Sequence, residues 1–101
     1  MKEKQSMQVL ISLSSFGAAE VGRHGQLWCT DLAQRSGADG VEVRGEMLRD
    51  PANELAALAG RAAVYSSPEG LWAMDGVLDE AALLLGQHAA RAVGAPRLKM
   101  A

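Results

Sequence analysis

Charged residues alternate with valines in the stretch DGVEVRGE, residues 39–46. Side chains alternate in direction along a strand, so Val41 and Val43 share one face while Glu42 and Arg44 share the other. A carboxylate in that position can act as a hydrogen-bond acceptor or a general base. A guanidinium there can donate paired hydrogen bonds to a sugar hydroxyl or a phosphate. The alternative is a plain salt bridge facing water. Whether the pair faces a ligand or water depends on the elements that surround the strand.

Two further residues are candidates for the same site. Lys99 in PRLKMA is aimed like Glu42 if the register is right, although a terminal lysine is more often simply exposed. His24 stands in the glycine-rich GAAEVGRHGQ, predicted to be a loop after the first strand, where a lone histidine is either a functional group or a solvated one. We therefore predict Glu42, Arg44, Lys99 and His24 as substrate-binding residues, with no catalytic residue and no metal ligand assigned.

For the other residues that could take part in chemistry, we favour structural roles. Glu46 is expected to cap or solvate the following loop, and Trp72 to rest against the rim of the fold, with stacking on a sugar ring as the alternative. His88 falls inside a long helical pattern and is expected on the helix surface or in packing. Cys29 has no histidine or base at a telling spacing, so a small buried thiol is predicted.

The element pattern is a strict alternation. Gly37, Gly60 and Gly94 each end an apolar stretch with helical periodicity, as a helix C′ glycine does, and strand-like residues follow each one. Helices are predicted over 25–36, over 50–59 with Asp50 as N-cap and Pro51 at N1, and over 78–93. Strands are predicted over 8–14, 40–44, 62–66 and 97–101. The order β-α-β-α-β-α-β implies parallel pairing and an α/β protein.

Three of the four strands have one apolar face and one that turns polar toward the carboxyl end; the parity of residues 62–66 stays open. Helices cover both faces of a doubly wound sheet, which favours apolar residues on both. A (β/α)8 TIM barrel instead turns one face inward and gathers its chemistry at the carboxyl ends of the strands. The predicted fold is therefore parallel β-α-β-α-β-α-β, the first half of a (β/α)8 TIM barrel, and a small flavodoxin-like domain ranks below it.

Composition limits the partners. With 101 residues there is room for one small domain, predicted as a disordered N-terminal tail over 1–7 and a partial barrel over 8–101. A net charge of −2 offers no basic stripe for nucleic acid, and no run approaches the roughly 18 apolar residues of a membrane span. The one cysteine cannot form an internal disulfide, so a reducing cytoplasmic location is the simplest expectation.

Four stretches, VLISLSSFG, SGADGVEVRGE, AAVYSSPEGLW and LDEAALLLGQHAARAVGAPRLKMA, resemble the first four strands of the sugar phosphate isomerase/epimerase family, the xylose-isomerase-like barrels. The resemblance covers nearly the whole chain from Met7 and rests on structural motifs. It implies a sugar or sugar-phosphate substrate and, in the complete family barrel, a divalent metal (Mn or Mg) held by Glu, Asp and His residues of later strands. Those strands have no counterpart here, so no cofactor is expected in this chain.

Two functional hypotheses of different class follow. The chain is either an N-terminal portion of such an isomerase/epimerase, contributing part of the substrate pocket but not the metal site, or a non-catalytic α/β module that self-associates through its open sheet edges. The first predicts little or no turnover by this chain alone. The second predicts assembly in solution.

Overall fold

A computed structural model describes residues 7–101 of the chain. The tail predicted over residues 1–7 lies outside that range except for Met7, which is exposed. The elements alternate as predicted: β1 (Leu10–Ser12), α1 (Ala18–Arg35), β2 (Gly40–Arg44), α2 (Pro51–Ala57), β3 (Ala62–Ser66), α3 (Glu80–Ala92) and β4 (Arg97–Lys99), with 3-10 turns at Leu13–Phe16 and Gly45–Met47.

The four strands form one parallel sheet in the order β1-β2-β3-β4. Each strand therefore lies beside its neighbour in the chain, unlike a flavodoxin-like sheet, whose first two strands exchange places. Residues of α1, α2 and α3 share one core with the strands, so all three helices lie on one face of the sheet, as the right-handed rule for parallel crossovers predicts. This architecture confirms the α/β class and the parallel pairing, and it is compatible with half of a β/α barrel.

One face of the sheet is buried by all three helices. Val41 and Val43 are 0 % exposed and share a core with Tyr65 of β3, which register places beside Val43. The helices supply the opposing residues Cys29, Ala33, Leu55, Leu58, Ala90 and Val93. Fully burying a side chain of valine or leucine size contributes roughly 1.5–3 kcal/mol, so this layer is what holds β2 at the centre of the sheet.

The helix boundaries follow local signals. Asp79 accepts a hydrogen bond from the Ala82 N–H at 3.0 Å and caps α3, and Pro51 opens α2 at the position where no N–H is required. Asp50 stands at the N-cap as predicted, but its side chain makes no capping bond; the Glu54 carboxylate instead accepts from the Asp50 N–H at 2.6 Å. None of the helices within residues 7–101 is both long and apolar enough to cross a bilayer.

Several predicted boundaries are wrong. β1 begins at Leu10 rather than at residue 8, and β4 ends at Lys99 rather than at residue 101. The first strand ends at Ser12, and the chain turns through a 3-10 helix where strand was predicted to continue to residue 14. The predicted loop around His24 is helical, because a first helical stretch of α1 begins at Ala18. At Gly25 the backbone leaves the helical conformation (φ 84°, ψ 161°), and a second helical stretch runs from there to Arg35. Only glycine adopts that positive φ without steric cost, so Gly25 separates the two stretches, and the helix predicted from residue 25 is the second of them.

Candidate functional site

The face of the sheet opposite the helices is polar at the carboxyl ends of the strands. Register pairs Ser12 with Glu42 and then Arg44 with Ser66 and Ser66 with Lys99, and paired residues of neighbouring strands point the same way. The same register settles the parity of β3, since Tyr65 belongs to the helical face and Ser66 to the polar one. Three of the predicted site residues therefore lie on one face.

Direct contacts join these side chains into what we call the polar cluster, defined as Ser12, Ser14, Glu42, Arg44, Glu46 and Lys99. The Glu42 Oε2 atom lies 3.4 Å from Lys99 Nζ and 3.8 Å from Arg44 Nη1. Arg44 Nη1 also lies 3.4 Å from the Ser14 hydroxyl, which is 2.9 Å from that of Ser12. Glu42 is 15 % exposed and Arg44 26 %, so the centre of the cluster is half-buried and its edge is wet.

Small residues on β3 allow Glu42 and Lys99 to contact each other across that strand. Glu42 lies on β2 and Lys99 on β4, so their side chains have to meet across the strand between them. The β3 residues on that face are Val64 and Ser66, which pair in register with Glu42 and Lys99 respectively. Their short side chains leave room for the carboxylate and the ammonium group to approach. A larger residue at either position would separate the two charges.

Glu46 belongs to the cluster, contrary to the prediction that it serves the following loop. Its Oε2 atom lies 2.8 Å from Arg44 Nη2, the shortest ion pair that the arginine makes. Gly45 sets this geometry, since a Cβ at that position would fall 2.5 Å from Pro68 Cδ and 3.0 Å from Tyr65 Cζ. No side chain fits there, so the backbone packs against Tyr65 and turns Glu46 back over the strand end. The alternation of residues 42, 44 and 46 was the available signal.

Gln26 holds the backbone of the strand end and was missed from the sequence. It is 0 % exposed, and its side-chain amide donates to the Arg44 carbonyl and accepts from the Arg44 N–H, both at 2.9 Å. These are the hydrogen bonds that a longer β1 would have made, but β1 ends at Ser12. A glutamine inside an amphipathic pattern carries no signal of such a role. Gln26 is a positioning residue for Arg44.

His24 makes its contacts elsewhere. Its ring stacks on Trp28 with centroids 3.9 Å apart, and its Nε2 atom lies 3.5 Å from the Glu20 carboxylate one turn earlier in α1. Both partners belong to α1, Glu20 to the same helical stretch as His24 and Trp28 to the stretch after the kink at Gly25. Of the four predicted site residues, the structure brings together Glu42, Arg44 and Lys99, and places His24 in a separate helix-surface pair.

The pKa values of two buried groups, the Tyr65 phenol and the Cys29 thiol, are raised. Burial raises the pKa of the Tyr65 phenol, and the carboxylates of Glu69 and Glu46 raise it further because they disfavour a phenolate nearby. Burial likewise raises the pKa of the Cys29 thiol, with the Glu20 carboxylate adding to the effect. Cys29 is 0 % exposed, which confirms the prediction of a buried thiol, and its raised pKa keeps it in the unreactive protonated form.

Two surface grooves lie on the helical side, one along α1 beside Trp28 and Arg61 and another between α2 and α3 beside Leu55 and His88. Trp72, predicted to rest against the rim, is 63 % exposed. Within residues 7–101 no three His, Cys, Asp or Glu side chains are grouped so as to hold a metal ion. The polar cluster is a partly exposed surface of the sheet.

Comparison with known proteins adds no assignment. No protein-family model matches the chain, and no curated protein matches it either. A functional proposal has to rest on the fold and on the chemistry of the polar cluster.

Proposed function

We propose that this chain is an N-terminal half of a (β/α)8 barrel of the sugar phosphate isomerase/epimerase type and that its polar cluster forms part of a sugar-binding pocket. The observation that carries the proposal is the position of the cluster. Glu42, Arg44 and Lys99 converge at the carboxyl ends of parallel strands, on the face that no helix covers. In barrels of this type that end is where substrates bind.

The chemistry of the cluster suits a polyhydroxylated ligand. A sugar presents hydroxyls that both donate and accept, and the cluster offers the acceptor Glu42, the donors Arg44 and Lys99, and the hydroxyls of Ser12 and Ser14. The Arg44 Nε atom is buried and has no hydrogen-bond partner in the part of the chain that the structure describes. Such an orphan donor costs stability, and native proteins keep few of them. An arginine retained under that cost is more typical of a site than of a structural ion pair.

The divalent metal that the family resemblance implies does not fit the residues present. The carboxylates of Glu42 and Glu46 are directed at Arg44 and Lys99, and no third acidic, histidine or cysteine side chain completes a donor set within residues 7–101. No step is therefore derived through a metal. The role proposed for this chain is binding and orientation of the sugar, in the cytoplasm that its single cysteine favours.

An NMR titration tests the proposal. We expect D-fructose or D-xylose to shift the amide resonances of residues 12–14, 42–46 and 99 selectively. Glu42→Gln should weaken that binding at least about threefold, because a hydrogen bond to a charged acceptor is lost. Glu80→Gln is the matched control, since Glu80 lies exposed in the first turn of α3. Shifts spread over the whole chain, or equal effects of the two variants, would contradict the proposal.

A second candidate is a non-catalytic module that self-associates through its sheet edges. Within the described residues β1 pairs only with β2 and β4 only with β3, so each outer strand leaves one row of backbone groups unpaired. Open edges of this kind template pairing with another chain. Sedimentation velocity over a wide concentration range tests this, with Leu10→Lys as an edge-blocking variant of β1. A clean monomer at every concentration rules the second candidate out.

A further inference from the structure

The polar cluster is electrically balanced at its centre. Arg44 and Lys99 contribute two positive charges, and Glu42 and Glu46 contribute two negative ones, all linked by ion pairs of 2.8 to 3.8 Å. The cation nearest the middle, Arg44, is engaged by both carboxylates and by Ser14. A phosphate group approaching this arginine meets a charge that the protein has already neutralised, and it also meets the Glu46 carboxylate.

Resting on the proposed sugar-binding function, we infer that Glu46 is a specificity-determining residue that makes the site select neutral sugars over phosphorylated ones. The neutral sugar needs only hydrogen-bond donors and acceptors, which the cluster presents in alternation. A phosphate needs an unpaired cation, and Glu46 occupies the Nη2 edge of the guanidinium where a phosphate oxygen would bind in the bidentate mode.

The fold holds Glu46 in this position. Gly45 packs so closely against Tyr65 and Pro68 that the chain turns directly after β2, and the 3-10 turn Gly45–Met47 carries the carboxylate back over Arg44. Glu46 is therefore directed at Arg44 by the turn that directly follows β2.

The experiment compares three ligands, first with three proteins and then with the variant Glu46→Asp. Inorganic phosphate, D-fructose 6-phosphate and D-fructose are titrated by NMR into the wild type, Glu46→Gln and Glu20→Gln. Glu20 also pairs with a cation, at 3.6 Å from Arg23, but lies in α1, so its variant makes the same change in net charge away from the cluster. We expect the wild type to bind the phosphorylated sugar no more tightly than the neutral one.

In Glu46→Gln the freed Arg44 should bind both phosphates roughly two- to fivefold more tightly, the scale set by partly exposed ion pairs. The gain should disappear in about 1 M salt, where the Debye length falls to about 3 Å. Glu46→Asp should keep the wild-type preference. A wild type that already prefers the phosphorylated sugar, or equal gains in Glu46→Gln and Glu20→Gln, overturns the inference. If D-fructose does not bind at all, the proposed function fails, while the phosphate comparison still decides the role of Glu46.

Discussion

Replacement of the buried Gln26 by methionine should lower the free energy of unfolding substantially. Methionine keeps the size of the side chain but removes both hydrogen bonds to the Arg44 backbone, which the amide makes at 2.9 Å in a site with no solvent exposure. Each orphaned buried group costs about 1–3 kcal/mol, so the two together predict a loss of roughly 2–6 kcal/mol in the free energy of unfolding. That is a large part of the roughly 5–15 kcal/mol of a typical domain.

Urea denaturation followed by far-UV circular dichroism measures this loss as a lower midpoint at unchanged slope. Gln34→Met is the matched control, because Gln34 lies exposed in the same helix and its carbonyl accepts a surface hydrogen bond from Arg61 at 3.1 Å; a change within about 0.5 kcal/mol is expected there. Gln26→Glu should cost at least as much, since it loses the donor and buries a carboxylate beside the Arg44 carbonyl oxygen. If Gln26→Met costs less than about 1 kcal/mol, Gln26 does not complete the strand end.

Three further predictions concern buried groups near the cluster and in α1. Gly45→Ala should lower the free energy of unfolding by about 1–3 kcal/mol through overpacking, whereas Gly22→Ala, with open space around its Cβ, should not destabilise; equal effects would contradict the close packing at Gly45. The single tyrosine, Tyr65, should titrate above its usual pKa of 10.0 in absorbance near 295 nm, and Glu69→Gln should lower that pKa. Because the folded state then holds a proton that the unfolded state has released, stability should fall as the pH rises from about 10 through the folded pKa; a constant stability there would show that the phenol is not perturbed. Cys29 should react with a disulfide reagent only after unfolding, and prompt reaction of the native protein would refute its burial.

Hydrophobic periodicity and the glycine and proline residues at the ends of elements predicted most of the fold. The alternation of Val41 and Val43 with charged residues marked the face of β2 that the helices bury, and the C′ glycines marked where α1, α2 and α3 end. Asp50 and Pro51 likewise marked where α2 begins. These signals are local, because each depends on residues within a few positions of one another. The features that they predict are present in the folded structure.

The misses depended on contacts between distant parts of the chain. Gln26 and Arg44 are 18 residues apart, and nothing near either residue announces that a side-chain amide replaces the missing end of β1. His24 was expected in a loop because glycines flank it, yet the surrounding alanines and Glu20 favour helix, and the break falls at Gly25, after His24. The pairing of Glu42 with Lys99 was predicted only as a shared direction, because its distance depends on the small residues of β3 between them.

The sequential strand order also governs how the chain opens. Within residues 7–101 each strand pairs only with its neighbours in chain order, so β2 and β3 are held on two sides and β1 and β4 on one. Backbone amides of the inner pair should therefore exchange their hydrogens with deuterated solvent most slowly, through openings that approach global unfolding. Fraying at β4 would release Lys99 from Glu42 while the contacts of Arg44 with Glu46 and Gln26 persist. Thermal motion alone would then leave the Glu42 carboxylate without its lysine partner while Arg44 stays in place.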